Sequence, residues 1–141
     1  MMLDSASACQ SLRSAGLRLT PQRRAVIDVL VGDTTHPTVD TVAARVAEHT
    51  KGVSLSTVYK VLHELSDLGL IREIDLSGVM HFDPNPVDHI HVVCSGCGDI
   101  IDAEVARDTR DSLAESLSGV LASVSQLDIV VRGQCRVCEN K

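Results

Sequence analysis

The chain has 141 residues, 44% of them hydrophobic, which suits one ordinary domain or two small ones with real cores. Aromatic residues are nearly absent, Phe82 and Tyr59 standing alone, so Val, Leu, Ile and Ala must fill those cores. A formal net charge of −6 argues against broad non-specific nucleic-acid binding; no run approaches the ~20 apolar residues of a membrane span, and the polar start lacks the pattern of a signal peptide, so a cytoplasmic protein is expected.

The first predicted element is a short helix over Asp4 to Ala15, stopped by Gly16. Thr20 as N-cap and Pro21 at the first helical position open a second, with Ala25, Val26, Val29 and Leu30 as its apolar stripe and an end near Gly32. Thr38 caps a third that buries Val39, Val42, Ala43 and Val46. Ser54 or Ser56 caps a fourth, whose buried face is Val58, Val61, Leu62, Leu65 and Leu68 and whose end is Gly69. Two short strands, Leu70 to Ile74 and Val79 to Asp83, flank a turn at Ser77-Gly78. Helices followed by a hairpin are the order of a winged helix, assigned to residues 1–83. Pro84-Asn85-Pro86 reads as a hinge. The remainder, 84–141, holds a strand at Ile90 to Val93, a Cys-x-x-Cys-Gly turn, a strand at Ile100 to Ala103, a helix over Val105 to Val120 and a strand at Gln126 to Val131. The fold expected is therefore α+β: an N-terminal winged helix and then a small α/β domain.

All four arginines up to Asp33, from Arg13 to Arg24, fall in a stretch with no acid. Such a patch on an acidic protein can still bind DNA through few phosphate contacts, doubled by dimerisation.

Two Cys-x-x-Cys pairs, Cys94–Cys97 and Cys135–Cys138, supply four thiolates, and each pair can clasp one face of a tetrahedral ion. Zn²⁺ is the usual occupant, and four sulfurs leave no open position, so the role is structural. A redox dithiol is the rival, but it asks for one such pair beside a βαβ unit rather than two matched pairs. Cys9 reads as a free thiol.

Asp88-His89-Ile90-His91 is the second informative run. In a strand His89 and His91 point to one face and can grip one ion. Asp83 before the hinge, Asp102 at the end of the next strand and His36 between two helices complete three nitrogens and two carboxylates, a mixed set that suits Fe²⁺, Mn²⁺ or Zn²⁺. Short polar runs are also often plain surface, and spacing alone leaves both readings open. His49, His63 and His81 are read as surface or hairpin residues.

Taken together, Gly16-Leu17-Arg18-Leu19-Thr20-Pro21-Gln22-Arg23, His36-Pro37-Thr38, Ser56-Thr57-Val58-Tyr59-Lys60-Val61-Leu62, Asp88-His89-Ile90-His91-Val92-Val93-Cys94 and the two cysteine pairs resemble the ferric uptake regulator (Fur) family over nearly the whole chain. The resemblance implies a homodimeric repressor, not an enzyme, that binds a near-palindromic DNA operator when a metal at the hinge holds its winged helices in a competent pose. It makes the C-terminal part the dimerisation and metal-sensing domain. Family branches sense iron, peroxide, zinc, nickel or manganese. The sensing ligands of the peroxide-sensing, PerR-type branch map onto His36, Asp83, His89, His91 and Asp102. Iron sensors generally have Glu at both carboxylate positions and often His-Asp-His in the strand. Here Ile90 takes the middle place, and Leu127-Asp128-Ile129 lacks the His that a second site would use. The resemblance therefore implies a regulatory Fe²⁺ or Mn²⁺ beside the structural Zn²⁺, with His36 and His91 as the imidazoles that peroxide oxidises. The alternative is an iron, zinc or other metal-homeostasis repressor of the same family. By analogy with related helix-turn-helix proteins, the fourth helix enters the major groove and presents Ser56, Thr57, Tyr59 and Lys60, while Arg18, Arg23 and Arg24 meet phosphate or the minor groove.

Overall fold

The computed structural model describes residues 2–141. They form two compact units, the first ending at Pro86 and the second beginning at Val87.

The first unit carries helices α1 (Ser5–Ser14), α2 (Pro21–Leu30), α3 (Val39–His49) and α4 (Leu55–Asp67), then strands β1 (Arg72–Leu76) and β2 (Val79–Asp83). Each helix begins where a short polar side chain can accept a backbone N–H left without a helical partner. Asp4 accepts from Ser7, Thr20 from Arg23, Thr38 from Thr41 and Ser54 from Thr57. Ser54, not Ser56, is thus the cap of α4. The apolar stripes meet in one core that includes Leu12, Val26, Ile27, Leu30, Val42, Val46, Val58, Leu62, Leu65 and Phe82. On α2 the stripe is rotated slightly from the expected one, so that Ile27 is buried while Ala25 and Val29 lie at the margin.

The first strand starts at Arg72 rather than Leu70. The reason lies in the end of α4: Leu70 N–H reaches back to Leu65 O at 3.0 Å and Gly69 N–H to Ser66 O at 2.9 Å, with Gly69 at φ 71°. This paired closure, which needs a left-handed residue, uses the backbone that would otherwise start the strand. The hairpin turn places both Ser77 (φ 57°) and Gly78 (φ 84°) in the left-handed region, the geometry that matches strand twist. A bridge between Thr38 and His81, with Phe82 N–H bonded to Pro37 O at 2.9 Å, lays the segment after His36 alongside β2.

The second unit contains β3 (His89–Cys94), β4 (Ile100–Glu104), α5 (Arg107–Ser116), β5 (Ile129–Gly133) and α6 (Arg136–Glu139). Its sheet has the order β4-β3-β5, with β3 antiparallel to β4 and parallel to β5. Two elements differ from expectation. α5 ends at Ser116, before Ser118-Gly119, and β5 starts at Ile129 because the approach to it is held by side chains: Gln126 donates to Asp128 and Leu127 N–H to Asp88. No residue of α5 is buried, and Ile101, Leu121 and Val131 are about half exposed. The unit thus leaves much apolar surface uncovered.

Candidate metal centres and nucleic-acid interface

The four cysteines converge within the second unit. Cys94 ends the central strand, Cys97 sits in the turn closed by Gly98 N–H to Cys94 O at 2.9 Å, and Cys135 and Cys138 lie at the start and within α6. Their sulfurs all lie within 4.8 Å of one another, and none is in a disulfide. Cys94 is buried, and its sulfur accepts N–H groups from Cys135 at 3.2 Å and Gly96 at 3.3 Å. Backbone donors, that of Cys135 foremost, bring its thiol down to about 6. Cys138, crowded by its fellow thiols, first Cys135, is pushed up to about 12. Four such groups cannot all ionise unaided, whereas a dication held by four thiolates resolves the conflict; this donor set fits Zn²⁺. Gly96 is tightly approached: a Cβ there would lie 3.0 Å from Cys138 Sγ, so Cys138 would have to shift to admit it.

In the first unit His36 and Asp83 are both buried, with His36 Nε2 3.3 Å from Asp83 Oδ2. His36 occupies the left-handed region (φ 55°), uncommon for a residue with a side chain and stable only where the surroundings impose it. Those surroundings are specific. His81 Nδ1 lies 2.7 Å from His36 O, and Asp33 accepts from Thr35 N–H and hydroxyl and pairs with Arg45. Burial opposes the charge on Asp33, but the Thr35 and Arg45 donors outweigh it and hold the carboxyl below its usual range. The role of His81 in fastening the His36 turn was not legible in the sequence, where it reads as an ordinary hairpin residue.

In the second unit His89 and His91 share one face of β3, their ring centroids 4.3 Å apart. Asp102, opposite His91 in the ladder, places Oδ1 3.3 Å from His89 Nε2 and 3.6 Å from His91 Nε2. His89 Nδ1 lies 2.5 Å from Val87 O, which directs Nε2 toward the carboxylate. Imidazole and carboxylate oxygen donors of this kind fit a divalent ion of the Fe²⁺, Mn²⁺ or Zn²⁺ type.

The start of α4 is open to solvent, with Leu55 49% and Tyr59 45% exposed beside exposed Ser56 and Lys60; Thr57 is half-buried and engaged with Ser54. A cleft of about 150 Å³ between the N-terminus of α2 and α4 is lined by Gln22, Thr57 and Lys60, among others. Gln22 stands in the family motif but is given no role there. Arg18 is exposed. Arg23 is occupied inside the domain: its Nε and NH2 bond Glu64 at 2.9 and 3.0 Å, and NH1 donates to Arg18 O at 2.6 Å. Arg24 pairs with Asp28 one turn along α2. Among the described residues no helix is long and apolar enough to cross a membrane.

Comparison with known proteins gives concordant results. Residues 14–121 match the model of the Ferric uptake regulator family. The chain is 31% identical over 133 residues to the Peroxide-responsive repressor PerR of Staphylococcus aureus (strain Mu50 / ATCC 700699), covering 93% of this chain and 88% of that protein. Among solved structures, the Campylobacter jejuni peroxide stress regulator is 31% identical with a TM-score of 0.70, the match covering 92% of this chain and 97% of that one. The Helicobacter pylori ferric uptake regulator Fur, 22% identical, shares the fold with a TM-score of 0.79 over 100% of this chain and 98% of its own. The chain belongs to the ferric uptake regulator family of metal-dependent transcriptional repressors.

Proposed function

We propose that this chain is a cytoplasmic homodimeric repressor of a near-palindromic double-stranded DNA operator, held in its DNA-binding form by Fe²⁺ or Mn²⁺ and released by peroxide. His36, Asp83, His89, His91 and Asp102 would hold one regulatory ion, and Cys94, Cys97, Cys135 and Cys138 a structural Zn²⁺. Asp83 and Asp102 carry the reading: each puts a carboxylate oxygen 3.3 Å from an imidazole Nε2, and both are Asp rather than Glu. Among the described residues no further cluster of such donors gathers, which supports a single regulatory site.

The chain's own residues give the switch its logic. His36 belongs to the first unit and His89, His91 and Asp102 to the second, so an ion held by all of them would restrain both, and its loss would free their motion. When bound, Fe²⁺ supplies redox chemistry toward peroxide that Mn²⁺ does not readily enter. Oxidation adds one oxygen to the His36 or His91 imidazole as one peroxide is reduced to water, and the altered ring is a poorer ligand. The uncovered apolar surface of α5, β4 and β5 supports homodimerisation, and two-fold symmetry in the protein asks for a near-palindrome in the DNA. Ser56, Thr57, Tyr59 and Lys60 would meet the major groove and Arg18 the backbone, while Arg23 acts by holding α2, α4 and the Arg18 carbonyl together. The test is operator binding by Fe²⁺-loaded and Mn²⁺-loaded protein before and after peroxide. Loss in the iron form alone supports the reading. Binding that instead follows the concentration of iron, zinc or another metal, with no residue oxidised, assigns the chain to metal homeostasis.

A further inference from the structure

His63 and Glu73 lie outside both metal-donor sets and outside the core, yet they form a chain of contacts that ends at Tyr59. His63, on α4, places Nδ1 2.6 Å from Glu73 Oε1 on β1, a close side-chain contact that lacks the alignment of a hydrogen bond. One helical turn earlier Tyr59 meets the imidazole edge to face, with centroids 4.4 Å apart and planes at 80°. The His63 side chain is 42% exposed, so core packing does not account for its being held from two sides. Tyr59 is 45% exposed, and an aromatic that open would ordinarily sample several side-chain rotamers. The edge-to-face contact favours one of them.

We infer that His63 is a positioning residue for base recognition: Glu73, on the first strand of the wing, fixes the imidazole, and the imidazole fixes the ring of Tyr59 for reading one base. This rests on the assignment of Tyr59 to the DNA-facing surface. A ring already held in its bound rotamer loses less freedom on meeting the correct base, and a wrong base gains no such advantage. The consequence falls on discrimination between sequences. Phosphate affinity, which depends on Arg18, is untouched.

The experiment is selection of sites from a random duplex library by the full-length, Mn²⁺-loaded protein. It is repeated with Tyr59→Ala, His63→Ala, Glu73→Ala, Glu73→Gln and the double variant Tyr59→Ala/His63→Ala. Tyr59→Ala and His63→Ala should flatten base preference at the same operator position, each by roughly three- to tenfold. The double variant should be no worse than Tyr59→Ala, and Glu73→Gln, which keeps the side-chain volume packed against the imidazole, should retain most of the preference that Glu73→Ala loses. The salt dependence of binding should stay as in the parent. Should His63→Ala fail to fold, Glu73→Ala on the wing strand reads out the same link. The proposal is overturned if His63→Ala keeps the Tyr59-dependent preference, weakens all sequences equally, or adds its effect to that of Tyr59→Ala. If Tyr59→Ala alone changes no preference, the assignment of Tyr59 fails and this link with it; if Tyr59→Ala does and neither His63→Ala nor Glu73→Ala does, only the link fails.

Discussion

Arg23 and Glu64 form a two-pronged ion pair, Nε to Oε2 at 2.9 Å and NH2 to Oε1 at 3.0 Å, that ties the first turn of α2 to α4. Their side chains are only 14% and 17% exposed, and a third bond from Arg23 reaches the Arg18 carbonyl. An arginine that the family resemblance assigns to phosphate or the minor groove thus also sets the geometry of the residues around it.

Replacing Arg23 by Ala should lower the stability of the first unit by roughly 1–3 kcal/mol, the range for charge-assisted hydrogen bonds, and weaken DNA binding across all sequences. The pair also sets a pH signature. Hydrogen bonding to Arg23 is the main cause that holds the Glu64 carboxyl below its usual range. A depressed carboxylate contributes stability above its unfolded-state pKa and loses it as pH falls through the folded-state value. Urea unfolding of the parent and of Glu64→Gln should therefore differ most near neutrality and converge in acid; a gap that widens toward low pH would contradict the pairing.

At the four-cysteine site, Cys94→Ser and Cys135→Ser should lose zinc and the stable dimer, because removing one thiolate opens a closed site whose binding contributes to folding. Gly96→Ala provides a test that leaves every ligand in place. Its Cβ would lie 3.0 Å from Cys138 Sγ and 3.1 Å from Cys138 Cβ, so zinc should be released to a chelator faster than from the parent. Zinc content by mass spectrometry and a chromogenic chelator assay give the readout.

The apolar surface of the second unit predicts a separate class of variant. Ile101→Glu or Leu117→Glu should yield monomers that still hold zinc, since both residues are exposed and neither belongs to the four-cysteine cluster. Sedimentation should show the smaller species, and affinity for a two-half-site operator should collapse while single half-site binding persists. A dimer that survives both changes would place the interface elsewhere.

Exposure of Fe²⁺-loaded protein to peroxide should abolish operator binding and add oxygen to the peptides that contain His36 or His91, whereas the Mn²⁺-loaded form keeps both its binding and its mass. Oxidation confined to the cysteines, with zinc released, would make the protein a thiol switch instead. Arg18→Ala should reduce the slope of log affinity against log salt by about 0.9 per phosphate contact removed.

How much of this could be read without coordinates depends on the range of the interaction concerned. Thr20 and Thr38 cap their helices by accepting N–H groups three residues ahead, so a short polar side chain before an apolar stripe was enough to place α2 and α3. The pairing of Cys-x-x-Cys motifs and the alternation that puts His89 and His91 on one face of β3 are equally local. The tertiary structure alone decided the partners of Arg23, His63 and His81. Glu64 is 41 residues from Arg23, and the His36 carbonyl is 45 residues from His81. Periodicity reports which face of an element is buried and is silent on what meets the other face. The same limit moved the strand starts: Leu70 was taken by the closure of α4 and the Leu127 N–H by Asp88, competing hydrogen-bond partners that no propensity of those segments reveals.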